Sequence, residues 1–190
     1  MKNIPALDSK VLDLVTEISK EPKVEAAMAF IKDQTEVAMQ EQIELCEIEA
    51  PTFHEEKRAA SVAERMKQYG LTDVHIDEIG NVIGIRKGTG SGPVLAIGAH
   101  MDSVFPAGTD VKVKKEGNIY RAPGIGDNCS GLRALLQVLR AMEKEDIRTV
   151  GDIWFVGTVG EEGNGDIRGS KHLCANNKLD GFVAIDSTDV

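Results

Sequence analysis

The 190-residue chain has little cysteine: Cys46, Cys129 and Cys174 are its whole complement, and no C-x-x-C occurs. An odd count at wide spacings argues against a disulfide framework and against a structural zinc knuckle, and it fits a reducing compartment. No apolar run approaches the ~18 residues that a membrane span needs. The first residues, MKNIPALDSKVLDLV, lack the apolar core of a signal peptide. A cytoplasmic protein is therefore the default expectation. Lys/Arg clusters are missing as well, and 31 acidic residues outweigh 22 basic ones for a net charge of −9. Nucleic acid and anionic membranes recruit clustered positive charge, so neither is an expected partner. The loop GTGSGP (88–93) has no Gly-Lys-Ser/Thr and precedes a strand, which argues against a phosphate cradle. There is no internal repeat and no low-complexity tail.

What remains is an ordinary globular balance, 42% hydrophobic and 28% charged, in a chain long enough for one domain with a sizeable core. Asp8 or Ser9 can cap a first helix carrying Val11, Leu12, Leu14, Val15 and Ile18. Pro22 suits the first turn of a second helix, expected to run with a helical period from Val24 to about Glu49. These helices, residues 1–50, are expected to pack on a domain formed by 51–190. Thr52-Phe53-His54-Glu55 has the form of a capping box and is expected to open a third helix that stops at Gly70.

Beyond it, short strands around 74–76 and 82–85 precede VLAIGA (94–99), DIWFVGTV (152–159) and GFVAID (181–186). These last three are wholly or largely apolar, as buried parallel strands are. A β-ribbon is expected over roughly 110–121. Helices are expected from Ser130 onward and over Lys171–Ala175. The alternation predicts an α/β fold, a mostly parallel central sheet with helices on both faces. Ligand sites in such sheets lie beyond the carboxyl ends of the strands. There this sequence places His100 and Asp102, then Glu161 and Glu162, then Asp186.

Each of these has an ordinary reading when taken alone. His100-x-Asp102 can be a polar loop, or a metal-binding imidazole whose second nitrogen is anchored by a carboxylate. Asp127, in the turn Gly124-Ile125-Gly126-Asp127-Asn128, can be a helix N-cap or a carboxylate bridging two cations. Glu161-Glu162 can be a solvated acidic loop, or a ligand beside a general base. Asp186 can be a ligand or a strand-end turn former. Together they form a nitrogen–oxygen donor set without cysteine, which suits catalytic zinc, manganese or cobalt. Cys129 is expected to pack as a small apolar residue, and His54, His75 and His172 to be structural.

Four ordered segments carry a resemblance: GAHMDSVFPAG (98–108), APGIGDNCSGLRALLQVLRAM (122–142), VGTVGEEGNGDIRGSKHL (156–173) and GFVAIDST (181–188). With APTFHEEKRA and DEIGNVIG upstream, they resemble the co-catalytic di-zinc metallopeptidases that include peptidase T, carboxypeptidase G, aminoacylase and acetylornithine deacetylase. The resemblance covers about residues 45–188. It implies a phosphorylase/hydrolase-like zinc peptidase catalytic domain and hydrolysis of a peptide or N-acyl amide bond. His100 and Asp186 would hold one metal, Asp127 would bridge, Glu162 would hold the other, Asp102 would orient His100, and Glu161 would be the general base. The implied cofactors are two divalent ions, Zn2+ first and Co2+ or Mn2+ as alternatives. The family's catalytic domain normally continues into a lid, through which members often form homo-oligomers, and then to a late metal-binding His. This chain has neither by Val190, so the expectation is the N-terminal portion of such a domain, inactive alone. The alternatives are a non-catalytic metal-binding or interaction relic, and the related two-zinc aminopeptidases without a lid.

Overall fold

The computed structural model describes residues 8–187. Helix α1 (Ser9–Ser19) begins at Asp8, whose Oδ1 accepts from the Lys10 amide at 2.9 Å. Such a cap satisfies one of the donors a helix start leaves free. Pro22 opens α2 (Pro22–Asp33), where its missing N–H costs nothing.

The long second helix expected to reach Glu49 is two helices instead. The chain leaves α2 at Gln34 and restarts as α3 (Thr35–Cys46). The stretch Lys32-Asp33-Gln34-Thr35 has no apolar residue, so breaking there sacrifices no burial. The Thr35 hydroxyl donates to the Lys32 carbonyl at 2.7 Å, a local bond that competes with the helical ladder. From helix α5 (Cys129–Lys144), Gln137 donates to the freed Ile31 carbonyl at 3.3 Å and Arg140 to the Gln34 side chain at 3.2 Å.

The expected capping box is also absent. Helix α4 runs Glu56–Gln68, and Glu55, the residue before it, makes no side-chain cap bond. Its carboxylate accepts from the distant Gly160 amide instead, and Thr52 donates its hydroxyl to Asp102. Both residues serve the loops at the sheet's carboxyl end rather than their own helix.

Five strands make one sheet: β1 (Asp73–Ile76), β2 (Val82–Arg86), β3 (Leu95–His100), β6 (Ile153–Thr158) and β7 (Gly181–Ala184), in the order β1-β2-β6-β3-β7. A separate ribbon pairs β4 (Lys114–Glu116) with β5 (Ile119–Arg121). Strands β3, β6 and β7 are mutually parallel, and β2 runs against both β6 and β1. Strand β1 therefore points the same way as the parallel set, and only β2 is reversed. Alternation along the strands sends successive side chains to opposite faces. Val82, Ala99 and Phe155 join Val62, Met66, Leu132, Leu135, Leu136 and Leu139 of α4 and α5 in the larger core. Ile83, Ala96 and Val156 meet Leu173 of α6 (Arg168–Asn176) on the other face. Each fully buried leucine or phenylalanine side chain contributes on the order of 1.5–3 kcal/mol. Gly84 lets α4 lie close on the sheet, because a Cβ there would stand 2.9 Å from Met66 Sδ.

One strand differs from its expected character. β7 ends at Ala184, forms an edge of the sheet, and is half-exposed, with Val183 58% accessible. Its apolar composition reflects an edge covered on one side only, and Asp186 lies beyond it in the following loop. Among the described residues no helix is long and apolar enough to cross a membrane.

Candidate metal centre

His100 closes β3 and is buried. Its Nδ1 lies 3.0 Å from the Asp102 main-chain carbonyl and 3.5 Å from the Asp102 carboxylate. Asp102 thus meets the imidazole through its main-chain carbonyl as well as its carboxylate, the carbonyl being the nearer. The carboxylate, fully buried, has other partners. Its Oδ1 accepts from the Glu161 amide at 2.9 Å, and its Oδ2 from the Glu162 amide at 3.0 Å and the Thr52 hydroxyl at 2.9 Å. Burial alone would raise the Asp102 pKa, but the contact with His100 and these three donors outweigh it and hold the carboxyl down at about 2.

The other imidazole nitrogen, Nε2, faces two carboxylates: Asp127 Oδ1 at 2.9 Å and Asp186 Oδ1 at 3.6 Å. Asp127 is free to do this because its neighbour takes the capping role. Asn128 Oδ1 accepts from the Gly131 amide at 3.0 Å and so caps α5. The Asn128 amide group also donates to the Ile185 carbonyl at 2.9 Å, which ties the segment carrying Asp186 to the turn carrying Asp127. Gly124, at φ 77°, gives that turn its left-handed step. The Asp127–Asn128 peptide is cis.

Glu162 completes a cluster. One ligand atom each of His100, Asp127 and Glu162 lies within 4.8 Å of the others. Glu161 and Asp186 line, with His100, a cavity of about 270 Å³ walled by Gly98, Ile167, Phe182 and Ile185. The electrostatics are those of a carboxylate crowd around one base. Burial would push the His100 pKa down, yet Asp102, Asp186 and Asp127 hold it up at about 9. Burial raises the Glu162 pKa, repulsion from Asp127, Glu161 and Asp102 adds to the rise, and His100 opposes it. A cation among these groups would relieve both strains, and the hard oxygen and imidazole donors suit zinc or a similar divalent ion.

All six residues singled out in the sequence gather at the carboxyl ends of β3, β6 and β7. The remaining histidines do not join them. His75 Nδ1 lies 3.7 Å from Asp73 and His172 Nε2 lies 2.9 Å from Glu78, while His54 is exposed. Cys129 is buried in the larger core beside Cys46. Sequence reasoning missed Thr52, Glu55, Asn81, Asn128 and Arg168, which hold the site's loops, and Arg58. The Arg58 guanidinium is buried and donates to the carbonyls of Met101, between His100 and Asp102, and of Ile48 and Cys46. Only Thr52 and Glu55 left a local signal, and that signal pointed to the wrong partner.

Known proteins resemble this chain in sequence and in fold. Residues 96–189 match the model of peptidase family M20/M25/M40. A Pyrococcus abyssi protein provisionally named a LysW-lysine/LysW-ornithine hydrolase is 35% identical over 120 residues, covering 63% of this chain and 32% of that protein. Among solved structures, a Staphylococcus aureus tripeptidase superposes with a TM-score of 0.66 at 31% identity, over 80% of this chain and 43% of its own. The Bacillus cereus aminopeptidase PepT gives a TM-score of 0.68 at 25% identity, over 81% and 44%. The chain thus spans about a third of the length of that curated relative. The likeness to peptidase family M20/M25/M40 thus rests on residues 96–189, about half of the chain.

Proposed function

We propose that this chain carries the front part of a metal-dependent hydrolase acting on a peptide or N-acyl amide bond. The observation that carries the proposal is the convergence of His100, Asp127 and Glu162 within 4.8 Å, with Asp186 3.6 Å from the same imidazole nitrogen. Relatives named as a tripeptidase, an aminopeptidase and a LysW-lysine/LysW-ornithine hydrolase support amide chemistry.

The donor set fits two divalent cations, zinc first. His100 Nε2 and Asp186 would hold one, Asp127 would bridge, and Glu162 would hold the other. Such ions polarise a carbonyl and make water nucleophilic at neutral pH. This chain's residues do the rest. Asp102 keeps His100 in register through its carbonyl and fixes the amides of Glu161 and Glu162 through its carboxylate. Glu161 accepts a proton on its carboxylate from the attacking water and returns it to the leaving nitrogen. The apolar walls of the adjoining cavity, Ile167, Phe182 and Ile185, limit water around the reacting carbonyl.

The test is Glu161→Gln in the full-length protein, assayed with tripeptides and N-acyl amino acids in the presence of Zn2+, Co2+ or Mn2+. Turnover is expected to vanish while metal content stays unchanged. Loss of metal on this substitution would show that the base and ligand roles are interchanged. A wild-type protein that binds metal without turnover on either substrate class would favour the non-catalytic reading.

A further inference from the structure

Four consecutive amides precede and include the glutamate pair, and each is taken by a side-chain oxygen. The Val159 amide donates to Asn81 Oδ1 at 3.1 Å, Gly160 to Glu55 Oε1 at 2.9 Å, and Glu161 and Glu162 to the two oxygens of Asp102. These acceptors come from three separate places: the turn before β2, the start of α4, and the loop after β3. The descending limb of the same loop then closes on the ascending one. Arg168 and Gly169 amides donate to the Gly160 and Val159 carbonyls at 3.0 and 2.9 Å. Asp166 and Ile167 are held at φ 52° and 50°, a region an isoleucine rarely enters without outside support.

Glu55 stands out among the three accepting residues. Its carboxylate is only 4% exposed, it caps nothing, and it lies outside the cation-binding cluster. A buried carboxylate needs compensation. It receives the Gly160 amide and both contacts of the Arg168 guanidinium, at 3.3 Å each. Arg168 in turn donates to the Ile79 carbonyl at 2.9 Å and stacks on Phe53 at 5.3 Å. Its side chain covers Gly160 so closely that a Cβ there, at φ 59°, would stand 2.5 Å from Nε.

We infer that Glu55, braced by Arg168, is a positioning residue that fixes the peptide from which Glu161 and Glu162 project. Asp102 holds those two amides from the His100 side, and Glu55 holds the preceding one from the opposite side. The loop therefore cannot pivot about Asp102. Removal of Glu55 leaves the Gly160 amide without an acceptor and the Arg168 guanidinium with the Ile79 carbonyl alone, and the glutamate pair gains freedom that neither metal binding nor proton transfer tolerates. The inference rests on the hydrolase reading for its catalytic consequence but not for its structural one.

The experiment compares Glu55→Ala, Glu55→Gln and Arg168→Met with wild type. Amide exchange is followed by NMR on metal-free protein, zinc affinity by competition with a chelator, and turnover on the best tripeptide found for wild type. For Glu55→Ala, exchange at Gly160, Glu161 and Glu162 is expected to accelerate on the order of tenfold or more, with α5 core amides unchanged. Zinc affinity or kcat is expected to fall about 10–100-fold, the usual effect of residues that orient ligands, with KM little altered. Glu55→Gln keeps one oxygen for the Gly160 amide and is expected to restore much of both. Should Glu55→Ala fail to fold, Arg168→Met, at a partly exposed position, is expected to give the same pattern more weakly. A folded Glu55→Ala or Arg168→Met protein with wild-type exchange in the 160–162 segment overturns the inference. Wild-type protein that binds no zinc would sink the hydrolase reading alone and leave the exchange result to decide this one.

Discussion

Replacing Asp102 with asparagine tests how the centre is held together before any metal is added. The carboxylate is fully buried and accepts from the Glu161 amide, the Glu162 amide and the Thr52 hydroxyl. Asparagine preserves the shape but turns one acceptor into a donor. With its amide group at the Oδ1 position, the Glu161 N–H is orphaned. At the Oδ2 position Thr52 can rotate to accept, but the Glu162 N–H is orphaned. Either way one buried donor loses its partner, at a cost of about 1–3 kcal/mol. The pKa gives an independent figure. Its depression from the ordinary 3.8 to about 2 corresponds to on the order of 2–3 kcal/mol favouring the ionised form. Both routes place the loss near 2 kcal/mol, readable as a lower urea midpoint for metal-free protein at about pH 7. The sign with pH follows from linkage. The folded pKa lies below the unfolded one, so this stabilisation is complete above pH 3.8 and disappears as pH falls through about 2. Wild type and Asp102→Asn should therefore converge in acid. A loss under ~0.5 kcal/mol near neutrality, the size of an ordinary surface substitution, would refute the reasoning.

Other expectations follow from the same contacts. Arg58→Met removes a buried guanidinium that donates to three carbonyls, including Met101 between His100 and Asp102. It should cost about 3 kcal/mol or more in urea unfolding, and a loss below 1 kcal/mol (about a surface effect) would show that water replaces those bonds. Because carboxylates hold the His100 pKa up at about 9, the imidazole is protonated in metal-free protein near neutrality. Metal binding then displaces that proton, so the apparent enthalpy of zinc binding should vary with the ionisation enthalpy of the buffer. His100→Ala should remove that dependence. An enthalpy independent of buffer in wild type would mean that zinc does not bind through this imidazole.

The sheet was readable because its parallel strands are short, apolar and punctuated by polar residues, and strand ends do not depend on remote partners. His100 and Glu161-Glu162 fall where that rule puts them. Asp127 was harder. An Asp-Asn pair before a helix offers two caps, and only the observed Asn128–Gly131 bond shows which residue is spent on the helix and which is free. The break at Gln34 was hidden because Lys32–Thr35 contains neither glycine nor proline to mark it. The supports of the site were hidden for a different reason. Glu55 and Gly160 are 105 residues apart, and Asp102 and Glu161 are 59 apart. Local periodicity carries no record of such bonds, so Thr52 and Glu55 resembled a capping box until their partners were seen.

The most direct test of the central claim is an anomalous-scattering map from a zinc-soaked crystal of this chain. The account predicts zinc at ~2.0–2.2 Å from His100 Nε2 and from oxygens of Asp127 and Asp186, with a second ion on Asp127 and Glu162. A map with no zinc there, and with His100 Nε2 still 2.9 Å from Asp127 Oδ1, would contradict it.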